Sequence, residues 1–158
     1  MPKRYILSTL CLPLLLVVLS TPAATQSAPI EDLSSFPQTS LEIVSGKHKH
    51  DFAIWVADTP QREEQGLMFV RELPANRGML FPQHAPRAMS MWMKNTYIEL
   101  DMLFIGPDGR VSKIVAHAVP ESLTTIDSGG PISAVLEISG GAAARLGLKV
   151  GDRVTWKP

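Results

Sequence analysis

The sequence has a single cysteine, few aromatic residues (6%) and no excess charge of either sign, with 15 basic and 15 acidic side chains. One cysteine cannot form an internal disulfide, so the fold must be held by its core. The balanced charge argues against a nucleic-acid groove, since neutralising phosphates takes a surplus of Lys and Arg. Long apolar runs are also scarce. The one candidate, Ile6 to Leu19, falls short of the roughly 20 residues that span a bilayer and is broken by Pro13, which excludes a membrane bundle. At 45% apolar, the chain is not the polar mixture of a disordered protein either, and its 158 residues suit one ordinary domain.

The amino terminus is instead arranged for export. Pro2-Lys3-Arg4 is basic, the apolar run follows, and Ser20-Thr21-Pro22-Ala23-Ala24 is a small-residue exit, the order of a secretory signal peptide over residues 1–24. Cleavage is expected after Ala23 or Ala24, giving a periplasmic or secreted protein that meets the membrane only during export. Cys11 leaves with this leader, and so do Lys3 and Arg4, taking the basic count from 15 to 13 against 15 acidic and the net charge to −2. A thiol-free, weakly acidic domain remains, large enough to bury roughly two thirds of its unfolded surface.

Residues 25–40 are rich in Ser, Thr, Pro and Gln and read as a flexible linker; residues 41–158 read as a single β-rich domain. Leu41 to Ser45 and Asp51 to Ala57 are short strand-like runs. Asp58-Thr59-Pro60 supplies a cap and a first-turn proline for a helix ending near Gly66. Met79 to Phe81, Arg87 to Met93, Leu100 to Ile105, Arg110 to Val119, Ser133 to Ile138 and Arg153 to Trp156 continue the strand pattern. Gly106-Pro107-Asp108-Gly109 marks a hairpin turn, and Ala142 to Leu146 a second short helix with Gly147 just beyond it. These elements predict a mainly β fold, a compact antiparallel β-sandwich or partly closed barrel with one or two short helices.

Gly66-Leu67-Met68, Gly78-Met79-Leu80-Phe81, Trp92-Met93-Lys94-Asn95-Thr96, Leu100-Asp101, Val135-Leu136-Glu137 and Gly151-Asp152 together resemble an uncharacterised prokaryotic family, domain of unknown function one hundred and ninety-two. The resemblance covers about Leu41 to Trp156 and implies a compact β-rich domain, often exported, with no established reaction.

Candidate chemistry gathers in the same stretch. Asp101 and Glu137 each interrupt an otherwise apolar run, and a carboxylate so placed must be paired, hydrogen-bonded or facing a cavity. Lys94, Asn95 and Thr96, just before the Asp101 strand, are natural partners, and Trp92 offers a flat surface. Trp92, Lys94, Asn95, Thr96, Asp101 and Glu137 are therefore the expected ligand-binding set, for a small ligand, an envelope polymer or a partner protein, with no cofactor required. If Asp101 and Glu137 shared one pocket, they could instead act as the acid and base of a hydrolase of envelope polymers.

A second alternative is metal binding. Met89, Met91 and Met93 alternate, which on a strand aligns three thioethers on one face, with Met68, Met79 or Met102 as further donors, and thioethers select Cu(I). The competing reading is that methionine fills irregular cores. Asp127-Ser128-Gly129-Gly130-Pro131 looks like a serine-protease nucleophile segment, but the chain is too short for two barrels and His117 is too close in sequence to serve as its base.

Overall fold

The computed structural model describes residues 30–157; the leader and cleavage site expected from the sequence fall outside the described residues. Among the described residues nine strands and two short α-helices follow one another: β1 (Gln38–Ser45), β2 (His48–Val56), α1 (Pro60–Gln65), β3 (Arg77–Arg87), β4 (Ser90–Met91), β5 (Leu100–Ile105), β6 (Val111–Ala118), β7 (Ile126–Asp127), β8 (Ile132–Ser139), α2 (Ala142–Leu146) and β9 (Arg153–Trp156). The mainly β expectation holds.

Seven strands form one sheet in the order β6-β5-β8-β3-β2-β1-β9, and β4 pairs with β7 in a small ribbon. The sheet is mixed rather than purely antiparallel, because β2 and β3 run parallel. A parallel pair needs a crossover, and the segment 57–76, which carries α1, supplies it. The sheet also curls until its two edges touch at one corner: Arg110 bridges Arg153, Val111 N–H donates to the Asp152 carbonyl (2.9 Å) and Val154 N–H to the Gly109 carbonyl (2.9 Å). Closure stops there, so the molecule is a curled sheet and not a closed barrel.

Both faces of the sheet are buried. Alternate residues Leu103, Ile105, Leu136 and Ile138 join Leu41, Ile43, Ile54 and Leu80 in the core inside the curl, closed at one end by Ala142 and Ala143 of α2. The intervening residues Met102, Phe104, Val135, Met79 and Phe81 form a second core on the outer face. That second core is roofed by the α1 crossover and by segment 88–98, which contribute Leu67, Met91 and Met93. Burial on both faces explains why β5 and β8 read as nearly continuous apolar runs, with the carboxylates Asp101 and Glu137 as their exceptions.

The domain begins earlier than residue 41. Phe36 is buried, the Arg62 guanidinium lies over its ring and pairs with Glu31 at 3.2 Å, and the Gln65 amide donates to the Glu31 carbonyl at 2.7 Å. Residues 31–40 are thus part of the packed domain, although their composition reads as linker. The strand expected over Arg87 to Met93 is also broken, since β4 holds only Ser90 and Met91.

Gly78 allows β3 and β8 to approach. A Cβ there would sit 2.6 Å from the Glu137 carbonyl oxygen, a backbone atom that cannot rotate away. Gly78→Ala is therefore expected to cost about 1–3 kcal/mol, as overpacking does. Urea unfolding checks this, and an unchanged midpoint would show that the two strands have slack at that position.

Candidate functional site

The outer face carries a cleft of about 380 Å³, walled by α1 and the turn Gly66–Met68 on one side and by residues 87–92 with Lys94 and Thr96 on the other. Glu137 of β8 lies at its floor. In the sheet Glu137 stands between Met79 of β3 and Met102 of β5, both without exposed surface, and is itself only 4% exposed. Among the described residues nothing hydrogen-bonds or ion-pairs with its carboxyl group. Burial alone pushes its pKa up from 4.5 to about 8, so near neutral pH it is mostly an uncharged acid, able both to donate and to accept a hydrogen bond.

The far wall is a loop held by its backbone. Met93 N–H donates to the Ser122 carbonyl (3.0 Å), Thr96 N–H to Met93 (3.0 Å), Phe69 N–H to Asn95 (2.8 Å) and Glu121 N–H to Thr96 (3.0 Å). Phe69, Asn95 and Glu121 all have positive φ, 65°, 56° and 58°. Asn tolerates that region; Phe and Glu adopt it at a cost of about 1–3 kcal/mol each. Such strain persists only where the surroundings impose it, and here it fixes the segment carrying Trp92, Lys94 and Thr96. Trp92 is 43% exposed, with the Lys94 ammonium 5.2 Å from its ring centroid.

Of the six expected ligand-binding residues, Trp92, Lys94, Thr96 and Glu137 line the cleft. Asn95 stands behind the wall and donates its amide to the Met68 sulfur at 3.7 Å. Asp101 is elsewhere. It pairs with Ile138, whereas Met102 pairs with Glu137, so the two carboxyl groups point to opposite faces of the sheet. Asp101 instead accepts three backbone hydrogen bonds, from His117 (2.9 Å), Gly141 (3.0 Å) and Ala143 (2.8 Å). It ties α2 and β6 to β5, and no two-carboxylate site with Glu137 forms.

The methionine set is also redrawn. Met89 and Met91 line the cleft, but Met93 does not; it lies in the second core with no exposed surface. Met68 joins them from the opposite wall. Ser128 is bound up in its turn, its hydroxyl donating to the Gly130 carbonyl (2.7 Å) and accepting from Met89 N–H (3.0 Å). The sequence reading did not single out the α1 wall, including Glu63 and Glu64, or Arg87, whose guanidinium is 3.7 Å from Glu63. Their only signal was Gly66-Leu67-Met68 among the family-like blocks.

The molecule is a small curled-sheet domain with a cleft floored by a buried acid. The chain belongs to the family DUF192, described as an uncharacterized ACR, whose model matches residues 42–156. Two solved structures are similar to it. One, from Novosphingobium aromaticivorans DSM 12444 and described as of unknown function, is 39% identical, with a TM-score of 0.77, covering 87% of this chain and 98% of that one. The other, a candidate transcription regulator from Sinorhizobium meliloti 1021, is 41% identical with a TM-score of 0.75, covering 77% of this chain and 95% of that one. A comparison with curated proteins finds no match.

Proposed function

We propose that this chain is an exported binding module whose cleft takes a small ligand or a short segment of an envelope polymer. The observation that carries this reading is Glu137, an unpartnered carboxyl at the floor of an open cleft. A Leu or Met would fit between Met79 and Met102 with no desolvation cost, so the acid lowers stability where it stands. Such a cost is characteristic of binding sites, where stability is traded for function. Trp92 and Lys94 at the rim and Thr96 in the wall add stacking, charge and a hydroxyl.

Export is supported by the basic, apolar and small-residue order of residues 1–24. A role on nucleic acid, suggested by the description of the Sinorhizobium relative, is disfavoured by a chain with no net positive charge.

The test uses the full chain produced with its own leader in a Gram-negative host and recovered from the periplasm, where mass spectrometry should find an amino terminus after Ala23 or Ala24. Amide NMR shifts are then followed during titration with chitotriose, triglycine and putrescine. At least one of these probes should give saturable shifts centred on Trp92, Thr96 and Glu137, and Glu137→Ala should weaken it by tenfold or more, about 1.4 kcal/mol. Flat titrations with all three, or shifts indifferent to Glu137, would defeat the reading.

A further inference from the structure

The cleft brings together three thioethers from two separate segments of the chain. Met68 comes from the turn after α1, Met89 and Met91 from the β4 segment, and all three line the cavity that Glu137 floors. Met68 and Met89 are half-buried and Met91 is 9% exposed. Met79, Met93 and Met102 differ: they have no exposed surface and do not line the cavity, although Met91 shares the second core with them and Met89 packs against it. Filling an irregular core accounts for that second set. It accounts for the first only in part, since Met68, Met89 and Met91 also line the open cavity.

The donor types narrow the ligand. Among the described residues no His or Cys lines the cleft, and no group of three His, Cys, Asp or Glu could hold a metal ion. Zinc, which is bound by such groups, is therefore poorly served, and calcium and magnesium require a shell of oxygens. Neutral, soft sulfur atoms favour a soft monovalent ion. Asn95 steadies one of them, since its amide donates to the Met68 sulfur at 3.7 Å and leaves a second lone pair free. The cations at the rim are already engaged, Lys94 over Trp92 and Arg87 beside Glu63.

We propose that the cleft binds Cu(I) through the sulfur atoms of Met68, Met89 and Met91. The buried, unpartnered carboxyl of Glu137 independently marks the same cavity as a ligand site. This inference rests on the binding-module reading and names the ligand of that site. Cu(I) coordination by thioethers involves no change of oxidation state and no proton release, so the ion needs only to be delivered reduced.

The experiment competes the periplasmically produced protein against bathocuproine disulfonate under anaerobic ascorbate. The protein should withdraw one equivalent of Cu(I), with X-ray absorption showing sulfur neighbours. Met68→Leu, Met89→Leu and Met91→Leu, which conserve volume, should each weaken binding by about tenfold or more, a loss that even outer-shell partners of a metal produce. The triple variant should lose binding, while Met93→Leu and Met102→Leu should leave it intact. Failure to withdraw Cu(I), full affinity in the triple variant, or an equal loss in Met93→Leu overturns the assignment. If Cu(I) fails while an organic probe still shifts the cleft amides, the copper inference falls and the binding module stands; if neither binds, both fall.

Discussion

Asp101→Ala is expected to cost on the order of 4 kcal/mol, much of the stability of a domain this size. The two carboxylate oxygens accept backbone N–H groups of His117, Gly141 and Ala143 at 2.8 to 3.0 Å, in a residue with no exposed surface. His117 and Gly141 both have positive φ, 53° and 75°, and α2 has no side-chain cap from its own amino-terminal residue. Removing the carboxylate strands three donors, each worth about 1–3 kcal/mol if left unsatisfied. Asp101→Asn keeps the volume but turns an amide nitrogen toward N–H groups, so it should cost less than Ala yet more than 1 kcal/mol or so. Urea unfolding followed by near-ultraviolet dichroism measures both. A loss for Asp101→Ala below about 1 kcal/mol would mean that the latch is not holding the helix.

Glu137→Gln should have the opposite sign at alkaline pH. The carboxyl group has a folded pKa near 8 against an unfolded value of 4.5, so the native state holds a proton that the unfolded chain releases. Stability is then complete below pH 4.5 and falls as the pH climbs through about 8. At about 1.4 kcal/mol per pH unit the full fall is bounded at about 5 kcal/mol, and water entering the cleft reduces it. Wild type should lose on the order of 10 °C in Tm between about pH 5 and pH 9, through this group. The Gln variant, with nothing to ionise, should show a much flatter profile and exceed wild type above about pH 8. Parallel profiles for the two proteins would show that Glu137 is already ionised or solvated at neutral pH. The two acidic side chains thus make contrasting predictions: one stabilises the fold, and the other weakens it at the floor of the cleft.

Much of the local structure was legible in the sequence because its determinants are local. Thr59-Pro60 caps and opens α1, with the Thr59 hydroxyl accepting from Arg62 N–H. Gly147 stands just past α2 with φ 66°, as a helix-terminating glycine should. The Gly106–Gly109 turn joins β5 to β6 as expected. Composition misled at residues 31–40, where Ser, Pro and Gln read as linker, because burial of Phe36 and the Arg62–Glu31 pair depend on a helix some 30 residues on. The Met89-Met91-Met93 alternation misled for a related reason. The strand that would have made the three sulfurs collinear is only two residues long, so Met93 turns into the core.

Family membership and strand content, and the suspicion attached to Asp101 and Glu137, were all present in the sequence. Alternation along a strand is a local property, fixed by the pleat. Whether the two carboxylates share a face is not, because it depends on how β5 registers against β8 across the 26 residues between them. Asp101 opposite Ile138 separates them; a slip of one residue would have put them together. Pairing of β8 with both β3 and β5 places Glu137 under the cleft that Met68 and Thr96 line. The sequence determined which residues are unusual, and the tertiary structure decided which of them meet.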